Sequence, residues 1–150
     1  MAMSEPVRPP QPGDELPPFA RSTGFDAWNR FAAVSGLFAE IHMDDEVGQS
    51  AGYPGAIGIG ALQVAYFHNL VRSWAPNGRV LELECRFHAA NLKNTVVTAR
   101  ATVTAVAGSR VELELRAEDD LGQTLSTGTA VVAFDGDQAE SRNAGANAGR

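Results

Sequence analysis

The sequence predicts an α+β domain in which an antiparallel β-sheet wraps around one central α-helix. Three observations point there. Residues 81–134 alternate apolar and polar side chains in runs separated by turn signals, the mark of half-buried strands. Residues 61–74 are apolar around most of a helical circumference, which suits a helix enclosed by other elements. The chain has 150 residues and is 44% hydrophobic, one ordinary domain with enough apolar side chains to pack a core.

The elements follow in order. A first strand near Phe19–Ser22 is needed to complete the sheet. Asp26 is placed to cap a helix beginning at Ala27, in which Trp28, Phe31, Ala32 and Ser35 share one face at i, i+3, i+4 and i+7. Gly36 ends that helix. A loop through His42 leads to a short helical turn at Asp45–Ala51, with Asp44 and Asp45 read as surface or capping residues. Gly55, Gly58 and Gly60 are too many breakers for a helix interior. The central helix then runs from Ala61 to Trp74, with Leu62, Ala65, Tyr66 and Leu70 flanked by Val64, Phe67 and Val71, until Ala75-Pro76-Asn77-Gly78 stops it. Tyr66 and Trp74 read as core or interface aromatics, and His68 as a buried histidine satisfied by a neighbour.

Four strands follow, read as a meander. Leu81, Leu83, Cys85 and Phe87 alternate with Glu82, Glu84, Arg86 and His88, which puts His88 on the polar surface. Val97, Ala99, Ala101 and Val103 line one side of the next strand, and Gly108-Ser109 turns the chain. Val111, Leu113, Leu115 and Ala117 alternate with charged residues up to the turn at Asp119–Gly122, and Leu125–Phe134 closes the sheet. Pro-rich residues 1–15 and the Ala/Gly/Asn/Ser-rich residues 136–150 read as disordered tails around a domain at 16–135.

Composition narrows the function classes. Eighteen acidic against twelve basic side chains, a net charge of −6 and no run of Lys or Arg argue against a nucleic-acid surface. No stretch is long and apolar enough to span a membrane, and the N-terminus lacks an apolar signal core. The single cysteine, Cys85, precludes an intrachain disulfide and points to a reducing compartment, the cytoplasm. Three scattered histidines and that cysteine have no metal-ligand spacing, and phosphate-loop, dinucleotide and Gly-x-Ser-x-Gly signatures are missing.

The chemistry-bearing stretch is Phe31–Asp45 followed by Gly52–Leu62. It sets His42 just ahead of a glycine-rich approach to the central helix. A helix N-terminus offers unpaired N–H groups and the positive end of a dipole, so a histidine there stands as an acid/base beside an oxyanion site. Glu40 lies two residues before His42 and in an extended loop would point the same way. Tyr53, Gly58, Ile59 and Gly60 are the candidate substrate-contacting positions; the two glycines also suit turns at positive φ.

These segments resemble the MaoC-like dehydratases, the (R)-specific enoyl-CoA hydratase family of hot-dog proteins. Phe31, Ala32, Ser35, Gly36, Phe38, Ile41 and His42 fit the family's first motif, and Pro54–Ala61 its second. Leu37 stands where the family has its catalytic aspartate, Ala39 and Glu40 replace Asn-Pro, and Ile59 stands where a histidine is common. The resemblance runs from about Leu16 to Phe134. It implies the hot-dog fold and a hydratase or dehydratase acting on an α,β-unsaturated or 3-hydroxy acyl-CoA or acyl-carrier thioester. It implies no cofactor, CoA entering as part of the substrate. In that frame His42 is the acid/base, Glu40 a compensating carboxylate, and the Gly60 amide the thioester's oxyanion donor. Arg72, Lys93 and Arg86 are candidates for CoA phosphates. The resemblance further implies a homodimer, or a heterodimer with another hot-dog subunit, with no nucleic-acid or membrane partner. A partner-dependent, non-catalytic acyl-binding subunit is the alternative. A hot-dog thioesterase ranks third, because Gly52–Asn77 contains no Asp or Glu.

Overall fold

The computed structural model describes residues 8–134; residues 1–7 and the expected tail at 136–150 lie outside the described residues. The chain runs β1 (Phe19–Ser22), α1 (Phe25–Ser35), a single 3-10 turn (Glu40–His42), α2 (Asp45–Ser50), α3 (Gly60–Trp74), β2 (Arg79–Phe87), β3 (Val96–Ala107), β4 (Arg110–Asp119) and β5 (Thr124–Ala133). One five-stranded antiparallel sheet has the order β1-β3-β4-β5-β2.

That order corrects the four-strand meander. Only β3, β4 and β5 form one; β2 crosses to pair with β5, Leu83 opposite Ala130 and Cys85 opposite Gly128. Alternation dictates which face a strand buries, not which strand lies beside it. The β2–β3 connection, residues 88–95, is no two-residue hairpin, whereas Gly108-Ser109 is. Register shifts at Val80/Glu82, Val103/Ala105 and Ala117/Glu118 bend the sheet.

The curled sheet holds α3. Tyr66, Phe67, Leu70 and Val71 pack against Val97, Ala99, Ala101 and Val103 of β3, Val111, Leu113 and Leu115 of β4, and Leu125, Ala130 and Val132 of β5. Each large side chain buried here contributes about 1.5–3 kcal/mol of transfer free energy. The opposite face of α3 is not enclosed within this chain: His68, Asn69 and Arg72 are exposed, so the buried-histidine expectation for His68 is corrected. The two small residues Ala61 and Ala65 widen the apparent apolar arc without marking a second packing face.

Helix α1 begins two residues earlier than its capping pattern implies, with Gly24 at the N-cap and Asp26 inside the first turn. Gly36 ends it in the left-handed conformation, φ 74. Trp28 and Ala32 form a second cluster with Ala56 and Ile59, pinning the glycine-rich segment to α1. The residues just before Leu16, expected as tail, lie along β3: Gly13 N–H bonds to Val103 O at 2.8 Å, Val103 N–H to Asp14 O at 2.8 Å, and Leu16 N–H to Ala101 O at 3.0 Å.

Candidate active site

His42 closes the 3-10 turn, and Ile57 ties it to the glycine-rich segment. Ile57 N–H donates to Ile41 O at 3.1 Å, and the Ile57 carbonyl lies 2.8 Å from His42 Nδ1. A carbonyl only accepts, so Nδ1 carries a proton, and in the neutral ring the lone pair is on Nε2. This is the arrangement a neutral histidine needs to act as a general base.

The same segment delivers the start of α3. Gly58 N–H bonds to the carbonyl of buried Asn91 at 2.7 Å. A Cβ at Gly58 would lie 2.7 Å from Asn91 Oδ1, and one at Gly60 3.2 Å from Phe87 Cζ. Neither glycine has positive φ, so close approach and not a turn requires them. Ile59 is the N-cap and supplies no side-chain cap; Leu62 N–H bonds back to Ile59 O at 3.0 Å, and α3 has no acidic residue in its first turn. The amides of Gly60 and Ala61 have no preceding turn to accept them and remain available to an anion.

A groove of about 340 Å³ joins these parts, with His42, Tyr53, Gly58, Gly60, Gln63, Phe87 and His88 in its walls. Gln63 is 4% exposed, and among the described residues nothing hydrogen-bonds its Oε1. His88 Nε2 lies 2.7 Å from Thr127 Oγ1. His88 enters the groove because the sheet lets go of it. Leu125, the extra residue of the β5 bulge, offers its carbonyl to both His88 N–H and Ala89 N–H, at 2.9 and 3.3 Å, so the chain turns off at the end of β2.

Of the predicted site residues, His42, Tyr53, Gly58 and Gly60 meet in this groove. Glu40 and Ile59 do not. Glu40 is exposed on the 3-10 turn, where three residues make a turn and side chains two apart diverge; the same-side expectation held only for extended backbone. Ile59 is 3% exposed and packs with Trp28, Ala32 and Ala56. Leu37 also lies outside the groove, 45% exposed. Sequence reasoning missed Gln63, and it read His88 as surface, which its exposure bears out, without seeing that His88 also borders the groove. The signals were the lone polar residue in the first turn of an apolar helix, and the alternation ending at Phe87.

Charged neighbours brace the site from behind. Asp44 caps α2, its Oδ1 accepting Glu46 N–H at 2.7 Å. Asp45 Oδ1 accepts Ala56 N–H at 2.9 Å and Oδ2 meets Lys93 Nζ at 2.6 Å. The Lys93 bond, with the Ala56 N–H, lowers the Asp45 carboxyl below its usual range. Lys93 also sits 4.5 Å over the Phe25 ring, so it is held away from the role of a phosphate contact. Arg86 is on the outer face of β2, and Arg72 is twelve residues along α3 from Gly60, about 18 Å away. No described helix is long and apolar enough to cross a membrane.

A family model described as MaoC like domain matches residues 8–132. No curated protein matches the chain. Among solved structures, it is similar to the (R)-hydratase from A. caviae involved in PHA biosynthesis, with TM-score 0.77 and 24% identity over 83% of this chain and 96% of that one. R-hydratase PhaJ1 from Pseudomonas aeruginosa gives TM-score 0.78 and 20% identity over 83% and 81%. The ChsH1-ChsH2 complex from Mycobacterium tuberculosis gives 0.77 and 18% over 83% and 98%. These likenesses give the fold: a hot-dog domain.

Proposed function

Since this chain belongs to the MaoC-like domain family, we propose that it hydrates α,β-unsaturated acyl-CoA thioesters, or dehydrates their 3-hydroxy forms, in the groove beside His42. The observation that carries the reading is the Ile57 carbonyl on Nδ1, which in the neutral ring puts the lone pair on His42 Nε2, in a groove shared with the first amide of α3.

The chemistry runs as follows in the hydration direction. Nε2 takes a proton from water as the water oxygen bonds to Cβ. The alkene electrons move toward the thioester oxygen, where the Gly60 amide and the dipole of α3 stabilise the enolate. The imidazolium then returns the proton to Cα, and no net proton is gained or lost. With Leu37 where the family has aspartate, His42 is the residue of this chain that matches the family's proton-transferring pair.

Turnover of a panel of trans-2-enoyl-CoA thioesters, followed as loss of enoyl absorbance, tests the reading. His42→Ala should lower the rate about 10²–10⁴-fold, the range general acid–base groups contribute. An unchanged rate in His42→Ala would remove His42 from the mechanism.

One observation favours a second reading. Leu37 and Phe38 are 45% and 65% exposed outside the groove, an apolar pair open to solvent. A second hot-dog subunit covering it would make this chain the binding half of a two-subunit hydratase. Turnover that appears only on adding such a subunit separates the two readings.

A further inference from the structure

We propose that the Gln63 carboxamide holds the reacting water, and equally the 3-hydroxyl of the hydrated acyl chain, opposite His42 Nε2. The proposal rests on the hydratase reading above.

Four residues with polar side chains line the groove: His42, Tyr53, Gln63 and His88. Tyr53 is 39% exposed, and His88, also exposed, already has Thr127 Oγ1 at 2.7 Å. Gln63 alone is buried, and its Oε1 has no partner among the described residues. A buried amide oxygen without a partner is uncommon, because the lost hydration is not replaced. Gln63 lies three residues after Gly60, so it rises one turn above the free amides at the start of α3, on the same side. A thioester oxygen on those amides brings its β-carbon toward Gln63. Water and a 3-hydroxyl both donate and accept, so either answers a carboxamide in either orientation. One O–H of the water points at His42 Nε2 and the other at Gln63 Oε1. Glutamine takes no proton; it fixes the oxygen that attacks Cβ, and the proton still travels through His42. Glu40 and Leu37, both outside the groove, leave that position to Gln63.

Two measurements test this. In the first, Gln63→Met, close in volume, should lower kcat for enoyl-CoA hydration about 10- to 100-fold with KM changed less than threefold, since the contact is to water. Gln63→Glu should keep more activity than Gln63→Met and add an acidic limb to the pH profile, because the ionised carboxylate is the stronger acceptor for the water. In the second, calorimetry compares 3-hydroxybutanoyl-CoA with butanoyl-CoA in a His42→Ala background, where butanoyl-CoA does not react and dehydration of the hydroxy form is slowed. The hydroxyl should improve binding roughly three- to tenfold, and His42→Ala/Gln63→Met should erase the margin. An unchanged kcat in a folded Gln63→Met, or equal affinity for the two ligands with Gln63 present, overturns the proposal. If no enoyl-CoA is turned over by the native chain, the hydratase reading fails, and the hydroxyl margin still decides the role of Gln63.

Discussion

Replacing Gly48 by alanine sets two local rules against each other. Gly48 is the fourth residue of α2, where helix propensity alone makes Gly→Ala stabilising by about 0.5–1 kcal/mol. The packing says the reverse. A Cβ at Gly48 would stand 2.0 Å from Gly55 O, 2.3 Å from Gly55 C and 2.7 Å from Ala56 N. Reaching even 3.0 Å, a separation real Cβ atoms seldom go below, requires the Gly55–Ala56 backbone to retreat by 3.0 − 2.0 = 1.0 Å. That movement stretches the 2.9 Å bond from Ala56 N–H to Asp45 Oδ1, and forcing a methyl group into a filled site typically costs about 1–3 kcal/mol. The net expectation is a loss of about 1–2 kcal/mol, read as a lower urea midpoint at unchanged slope. The shift also passes to Ile57, whose carbonyl holds His42. An error of about 1 Å at a reacting group costs on the order of 10²-fold in rate. Gly48→Ala should therefore lose hydration activity out of proportion to its stability. A Gly48→Ala protein that is more stable than the native chain would refute the argument.

Other outcomes follow from the same coordinates. The Asp45 carboxyl is lowered by Lys93 and the Ala56 amide, so its contribution to stability is present above about pH 3.9 and is lost as pH falls through the lower folded value. Asp45→Asn should accordingly flatten the fall in melting temperature between pH 5 and pH 2, and an unaltered acid limb would contradict this. Burial raises the Cys85 thiol, so alkylation at pH 8 should be much slower in the folded chain than in urea; equal rates would show an open site. Gly36→Ala, at φ 74, should cost about 1 kcal/mol in a denaturant titration, with no effect on groove binding.

The fold was legible wherever one period dominated. The alternation of β3 and β4 buries the face it implies, the apolar run from Leu62 to Val71 buries Tyr66, Phe67, Leu70 and Val71, and Gly36 ends α1 where a left-handed residue was required. What alternation does not encode is a neighbour, which is why β2 moved across the sheet to β5. The site was legible as far as His42, Tyr53, Gly58 and Gly60, residues gathered by one contiguous stretch. It was illegible where backbone geometry departs from the assumed regular form. A 3-10 turn separates Glu40 from His42, and the Leu125 bulge peels His88 out of the sheet. Gln63 was hidden for a different reason. One polar residue in an apolar helix resembles an exposed position until the groove beside it is seen.

The stretch at Gly13–Leu16 bears on which flank of the molecule other strands can join. Two pieces of one N-terminal stretch share the free side of β3: Glu15 bridges Thr102, and Phe19–Ser22 pair with Val96–Ala99. Pro17 and Pro18, which have no N–H to give, fall between them. The chain thus hems its own longest strand with the short edge β1, and β2 is the long flank with unspent hydrogen-bonding groups, guarded by the charges of Arg79, Glu82, Glu84 and Arg86. A protein trimmed to begin at Phe19 would lose part of that hem. Sticky growth from the β3 side would then compete with any ordered pairing along β2, so the first residues of the domain act as selvedge for the sheet as well as its first strand.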